Sequence, residues 1–231
     1  MAQTSDSAET AVSAASEEED RVAKARAMVK QAGLFNESRT LARWTTPICP
    51  KAYGFTDEQA NQVEARVREV AQAVGAPVAS GKCRANYNVY LTSEFARTLS
   101  GLRATKKRLF DNMPINRLEQ IANSGASVFW LYDIKGEDRR DITYASVVID
   151  RTTLAGKSIG TMSDFAAYVG MAEFAWPSGI SPESILQAFS YEQATNQITE
   201  WDAKLLIGIY RQNLALDARA QRENLISAIA R

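Results

Sequence analysis

The sequence predicts an α+β fold, a small antiparallel sheet packed by helices, with a largely helical C-terminal part. Three observations carry that expectation. Val63, Val67, Val70 and Val74 recur at helical spacing behind Thr56-Asp57-Glu58-Gln59, which reads as a capping box. Residues 86–92 alternate like a strand, and 126–132 is a second strand joined to 142–149 across Lys135-Gly136-Glu137-Asp138, the pattern of an antiparallel hairpin. After Asp150 the apolar residues return to helical spacing.

In chain order, residues 1–16 are poor in large apolar side chains and are expected to be disordered. Ser16-Glu17-Glu18-Glu19 opens an amphipathic helix over 17–33, with Val22, Ala25, Val29 and Ala32 on one face and Gly33 as its stop. Residues 34–44 read as an irregular approach to one domain spanning 40–231. The valine helix ends at Gly75-Ala76-Pro77. Ser93 caps the next helix, whose apolar face is Phe95, Leu99, Leu102 and Leu109, and a shorter helix covers 116–123. Past the hairpin, helices are expected over 162–176, 182–189 and 199–229. Pro182 would sit in a first turn, where proline is favoured. The last and longest helix buries Trp201, Leu205, Leu206, Ile209 and Tyr210, and its end offers Leu225, Ile226 and Ile229 as a docking surface for another chain or for residues 17–32.

Composition narrows the chemistry. The chain has 231 residues and no histidine, which removes Ser-His-Asp and Cys-His triads, His-ligated metals and imidazole acid–base steps. Two cysteines cannot make a four-cysteine zinc site or an iron–sulfur cluster. No metal and no cofactor is expected. Lys+Arg and Asp+Glu both number 27, but residues 1–20 hold six acids and no base, leaving the other 211 with 27 bases against 21 acids. That excess is too small to imply nucleic acid. No Walker A, G-x-G-x-x-G or G-x-S-x-G pattern occurs.

No run of 18 apolar residues spans a membrane. The start, Met1-Ala2-Gln3-Thr4-Ser5-Asp6-Ser7, reads either as a mature secreted N-terminus behind an added Met or as a disordered cytosolic tail. Cys49, between Pro47 and Pro50, and Cys83, in Ser80-Gly81-Lys82-Cys83-Arg84, are loop positions beside turn formers. The pair suits a structural disulfide of an oxidising compartment, periplasmic or secreted, and the alternative is two unrelated buried thiols.

Gly160-Thr161-Met162-Ser163-Asp164-Phe165-Ala166-Ala167-Tyr168-Val169-Gly170-Met171-Ala172-Glu173 invites comparison with H-E-x-x-H-x-x-G, in which two histidines share a helix face and a glutamate serves as base. Aligned on Gly170, the first ligand slot holds Ser163, the base slot Asp164, the second ligand slot Ala167 and a third slot Glu173. The helix thus resembles a degenerate zincin-like metallopeptidase without its metal-binding histidines. Leu41-Ala42-Arg43-Trp44 with Pro47-Ile48-Cys49-Pro50, Val74-Gly75-Ala76-Pro77 with Cys83-Arg84-Ala85-Asn86, Ser163 to Met171, Ser184-Ile185-Leu186-Gln187-Ala188-Phe189 and Thr199-Glu200-Trp201-Asp202 are together similar to a group of uncharacterised exported alphaproteobacterial proteins. That resemblance implies a removed signal peptide, a periplasmic or outer-surface location and a linked Cys49–Cys83 pair, and it implies no activity.

Other constellations read two ways. Asp133, Glu137, Asp138, Asp141 and Asp150 are a solvated turn or a carboxylate site. Arg97, Arg103, Lys106, Lys107 and Arg108, followed by Arg117, are the wet face of a helix or an anion-binding surface. Trp130, Trp176 and Trp201, with Phe165, Tyr168 and Phe174, are an aromatic core or, if exposed, a docking patch. The function expected is a non-catalytic exported protein that binds an envelope protein partner or forms a homo-oligomer. The alternatives are a carboxylate-dependent hydrolase, with Ser163, Asp164 and Glu173 as its clustered candidates, and a binder of anionic envelope glycans or lipids.

Overall fold

The computed structural model describes residues 5–35, 40–110, 113–136, 140–153, 156–175, 183–190 and 194–231. Side chains 5–14, 115 and 153 are outside the description. The valine stripe behaves as its spacing requires. In α2 (Asp57–Val74) the Thr56 side chain accepts from the Gln59 N–H while Gln59 accepts from the Thr56 N–H. Gly75 closes the helix at φ 85°, a left-handed conformation that glycine adopts without a Cβ penalty. The four valines are buried. This helix carries the chain from β2 (Pro50–Tyr53) to β3 (Tyr87–Thr92), which pair in parallel with Pro50 opposite Tyr87 and Tyr53 opposite Tyr90.

The expected hairpin is present. β4 (Val128–Lys135) and β5 (Asp141–Asp150) are antiparallel, with an irregularity between Asp133 and Ile134. On its other edge β5 pairs in parallel with β3 over 145–150 and with the short β1 (Arg43–Trp44) at Asp141 and Ile142. The protein is therefore mixed α and β, as expected, but its sheet is five-stranded and predominantly parallel rather than a small antiparallel one. The physical reason is local. β1 and β2 have two and four residues, too few to display alternation, and β2 starts at a proline. Nor can the alternation of residues 86–92 reveal the direction of a partner.

Side chains alternate across the sheet. Tyr87, Val89, Ala145, Val147, Ile149, Val128 and Trp130 face the larger core. There they meet α2, α5 (Ile159–Val169), α6 (Glu200–Tyr210), α7 (Ala218–Ala230) and the buried end of α1 (Ser5–Gln31). Phe129, Leu131 and Val148 face a smaller core on the other side. It is closed by α3 (Phe95–Thr105), a 3-10 turn (Lys107–Phe110) and α4 (Ile115–Asn123). Burial on both faces explains continuous apolar runs such as Val147-Val148-Ile149. At the β2 edge the Ala52 N–H donates to Glu64 Oε1 at 3.1 Å, so a side chain from α2 satisfies an outward backbone donor.

Several boundaries differ from expectation. α1 begins at Ser5 and runs through the segment expected to be disordered, so Ser16 is an interior residue and not a cap. Residues 15–21 of that helix are exposed, and the first buried side chain among the described residues is Ala25. The single long C-terminal helix is two. α6 ends at Tyr210, the Asn213 side chain accepts from the Ala215 N–H in the intervening turn, and Asp217 caps α7 by accepting from the Ala220 N–H. Glu94 rather than Ser93 stands at the α3 N-cap. The helix expected over 162–176 is α5, which Ser158 caps, and that expected over 182–189 is a 3-10 turn at Ile185–Gln187. Pro182, Trp176, Glu137 and Asp138 lie outside the described residues.

Candidate functional site

The α5 segment was the first candidate. Gly160 to Val169 lies in α5, and Ser158 starts the helix by accepting from the Thr161 N–H. Ser163 is buried and its hydroxyl donates to the Ile159 carbonyl at 2.7 Å, bonding back into its own helix. Asp164 faces α2, where its Oδ1 accepts from Arg66 Nε at 2.6 Å, and its Oδ2 accepts from the Ile198 N–H at 3.0 Å. Ala167 is fully buried. Glu173 lies beyond the helix end, where its charge acts on Tyr132 of β4. Ser163 and Asp164 are thus each held by hydrogen bonds to a different element. Among the described residues no group of three or more His, Cys, Asp or Glu could hold a metal ion.

The glycine of the template has a packing role. The Tyr87 ring occupies the space where a Cβ on Gly170 would go, and its hydroxyl donates to the Ala166 carbonyl. Trp44 Nε1 donates to the Gly170 carbonyl at 2.7 Å, and its ring stacks on Tyr87 with centroids 5.9 Å apart. Two aromatic residues from the sheet thus close over the end of α5.

Asp202 is a second buried carboxylate. Its Oδ1 accepts from the Ser184 hydroxyl at 2.7 Å, and its Oδ2 from the Ile185 N–H and from the Thr199 N–H and hydroxyl. Burial raises its pKa above the ordinary carboxylate value, and these donors oppose the shift. The Tyr168 phenol beside it is pushed well up, by burial first and then by the Asp202 charge. The Ser184, Ile185 and Thr199 donors belong to a turn and a helix start, so this carboxylate ties α6 to the turn at Ser184.

Cys49 and Cys83 form a disulfide, Cα atoms 6.1 Å apart, across a sequence separation of 34. It links the entry to β2 with the loop before β3. Asn86 reinforces the joint, accepting from the Cys49 N–H at 2.7 Å and donating to the Pro47 carbonyl at 3.1 Å. The aromatic residues form core: Trp130 packs edge-on to Phe165, Phe165 on Phe189, and Tyr168 on Phe174. Trp201 is half-buried at the edge of the larger core, beneath Lys24 and Lys204. Of the turn acids, Asp141 accepts from the Thr45 hydroxyl and Asp150 from Thr152.

The basic stretch is the remaining candidate, and folding divides it. Arg97 pairs with Glu94 at 3.0 Å on the outer surface. Lys106 lies 5.0 Å over the Tyr144 ring on the sheet. Arg103 and Lys107 line a groove of about 660 Å³ between α3, the 3-10 turn and α4. Its floor is Phe110, Met113 and Leu118, and Glu119 stands on the α4 side. Among the described residues neither Arg103, Lys107 nor Arg108 has an ion-pair partner. An apolar floor with two unpaired cations at its rim suits an amphipathic acidic occupant. Sequence reasoning named the cations and missed the floor. The signal was present in Leu109, Phe110 and Met113, apolar residues directly after the basic run.

No helix among the described residues is long and apolar enough to cross a membrane. Comparison of the chain with family models, with curated proteins and with solved structures returns no match, so the geometry alone carries the functional reading.

Proposed function

We propose that this chain is a non-catalytic exported protein that works in the periplasm or outside the cell by binding a protein of the envelope through the α3–α4 groove. The observation that carries the reading is the groove itself: Arg103 and Lys107, unpaired among the described residues, stand over an apolar floor of Phe110, Met113 and Leu118. The locked arrangement of Ser163 and Asp164 supports it from the other side, since both side chains are spent on structural bonds. The Cys49–Cys83 disulfide fits an oxidising compartment. A zincin-like ancestry is part of the proposal and rests on the sequence template alone.

Exposed Arg97 and Arg108 beyond the groove favour a second reading, in which the same face holds an anionic glycan or lipid headgroup. A glycan would need the cations and little of the apolar floor, whereas a protein segment would need both.

The test is photocrosslinking in cells from a benzophenone side chain at position 122 in the groove, with position 58 on α2 as control. A discrete protein adduct from position 122, lost on Arg103→Glu with Lys107→Glu, is the expected result. No protein adduct at 122, or equal adducts at 122 and 58, overturns the proposal.

A further inference from the structure

The chain carries an acidic element whose charge complements that groove. Residues 1–20 contain Asp6, Glu9, Glu17, Glu18, Glu19 and Asp20 and no base. From Ser5 onward this stretch belongs to α1, one continuous helix to Gln31. Among the side chains described, the helix is held to the body at its far end: Ala25, Val29 and Ala32 are buried in the larger core, whereas residues 15–21 are exposed. The part of α1 from residue 5 to residue 20 is about 24 Å long at 1.5 Å per residue, far more than its anchored end can cover. Packing anchors the other end firmly, since α1 lies on α7, Lys24 pairs with Glu183 at 2.5 Å and Arg26 with Glu223 at 3.3 Å.

The anchored end of this acidic helix and the basic groove belong to opposite faces of one sheet, α1 packing into the core that faces α2 and α5, and the groove lying over the core of α3 and α4. A straight helix fixed on one face cannot enter a groove on the other face of its own molecule. A neighbouring molecule has no such restriction.

We infer that the occupant of the α3–α4 groove is the acidic N-terminal half of α1 from a second copy of this chain. The proposal rests on the groove being a protein-contact surface and names its partner. Charge complementarity decides for the second copy: residues 1–20 supply six acids and no base, with Glu18 paired to Arg21 one turn on at 2.5 Å, and the groove supplies Arg103 and Lys107 with Arg108 and Arg117 close in sequence. Among the described residues Glu119 is the one acid lining the groove, and it sets the helix toward the α3 side. Each copy has one acidic helix and one groove, so reciprocal exchange between two copies uses both and closes the assembly.

The test is sedimentation velocity on the full-length chain across a concentration series at low and high salt. Self-association at low salt that weakens at least about tenfold in high salt is the expected result, because the contact is between exposed charges. A helix variant carrying Glu17→Lys, Glu18→Lys and Glu19→Lys, and a groove variant carrying Arg103→Glu and Lys107→Glu, each sediment as monomers. Their equimolar mixture associates again, since each reversed surface then meets its complement on the other variant. Glu17, Glu18, Glu19 and Lys107 are exposed and Arg103 is half-buried at the groove rim, and circular dichroism checks that both variants fold. A chain that stays monomeric at low salt, or variants that associate like the parent, overturns the inference. Its failure is distinguishable from failure of the groove reading: a monomeric chain that still crosslinks from position 122 to a different protein refutes self-docking alone, and a chain that does neither refutes both.

Discussion

Tyr87 and Gly170 are in such close contact that no side chain fits on residue 170: a Cβ there would fall inside the tyrosine ring, against its hydroxyl, Cζ and Cε2. Gly170 has an ordinary helical φ of −85°, so its need for glycine is spatial and not conformational. Gly170→Ala is expected to cost about 2 kcal/mol or more, because the buried ring must move within a filled core. Denaturant melts of Gly170→Ala, Tyr87→Phe and the double variant form the check. A double variant less destabilised than the two single costs combined supports the contact, and strict additivity would falsify it.

The Cys49–Cys83 link closes a loop that contains β2 and α2 and ends just before β3. For a separation of 34 residues the chain-entropy estimate is about 4 kcal/mol of stabilisation. Cys49→Ser with Cys83→Ser should lower the urea midpoint accordingly, and mass spectrometry without reductant should find no free thiol in the parent protein. Free thiols in protein recovered from the cell envelope would remove the compartment argument.

Arg66 and Asp164 join α2 to α5, with side chains 30% and 12% exposed. At that partial exposure the pair is worth less than a buried ion pair, and Asp164→Ala is expected to cost about 2 kcal/mol, including the Ile198 N–H left without its acceptor. A loss of stability shared with Arg66→Ala in a double-mutant cycle identifies Asp164 as structural. Unchanged stability would reopen it as a functional carboxylate.

Asp202 should give an unusual pH signature. Burial raises its folded-state pKa above the unfolded value, so between those two values the folded state binds more protons and stability rises as pH falls. The stability of the parent relative to Asp202→Asn, which does not titrate, should therefore increase on acidification into the carboxylate range. Chemical denaturation at several pH values measures it, and a difference that shrinks on acidification contradicts the assignment. Asp202→Ala should cost about 3 kcal/mol at neutral pH, since the donors from Ser184, Ile185 and Thr199 lose their acceptor together.

What could be read from the sequence follows the range of its signals. The α2 helix was legible down to its caps because Thr56, Gln59 and Gly75 act within a turn of their neighbours. The hairpin was legible because turn and strands are contiguous. Parallel pairing was not, since Tyr87 meets Ala145 across 58 positions and nothing in either strand states the direction. The same limit governs the site. Arg103 and Lys107 were visible as charges, but which cations share a groove with Phe110 and Leu118 depends on how α4 packs back on α3. Ser163 and Asp164 stood out because their spacing matched a template, whereas their hydrogen bonds to Ile159, Arg66 and Ile198 arise only on folding.

The most direct test compares the yield of protein adduct from position 122 in two variants. Ser163→Ala with Glu173→Gln removes two of the side chains singled out on α5 and its end, and Arg103→Glu with Lys107→Glu reverses the groove rim. The account predicts an undiminished adduct in the first variant and its loss in the second. An adduct that survives rim reversal but disappears with Ser163 and Glu173 would contradict it.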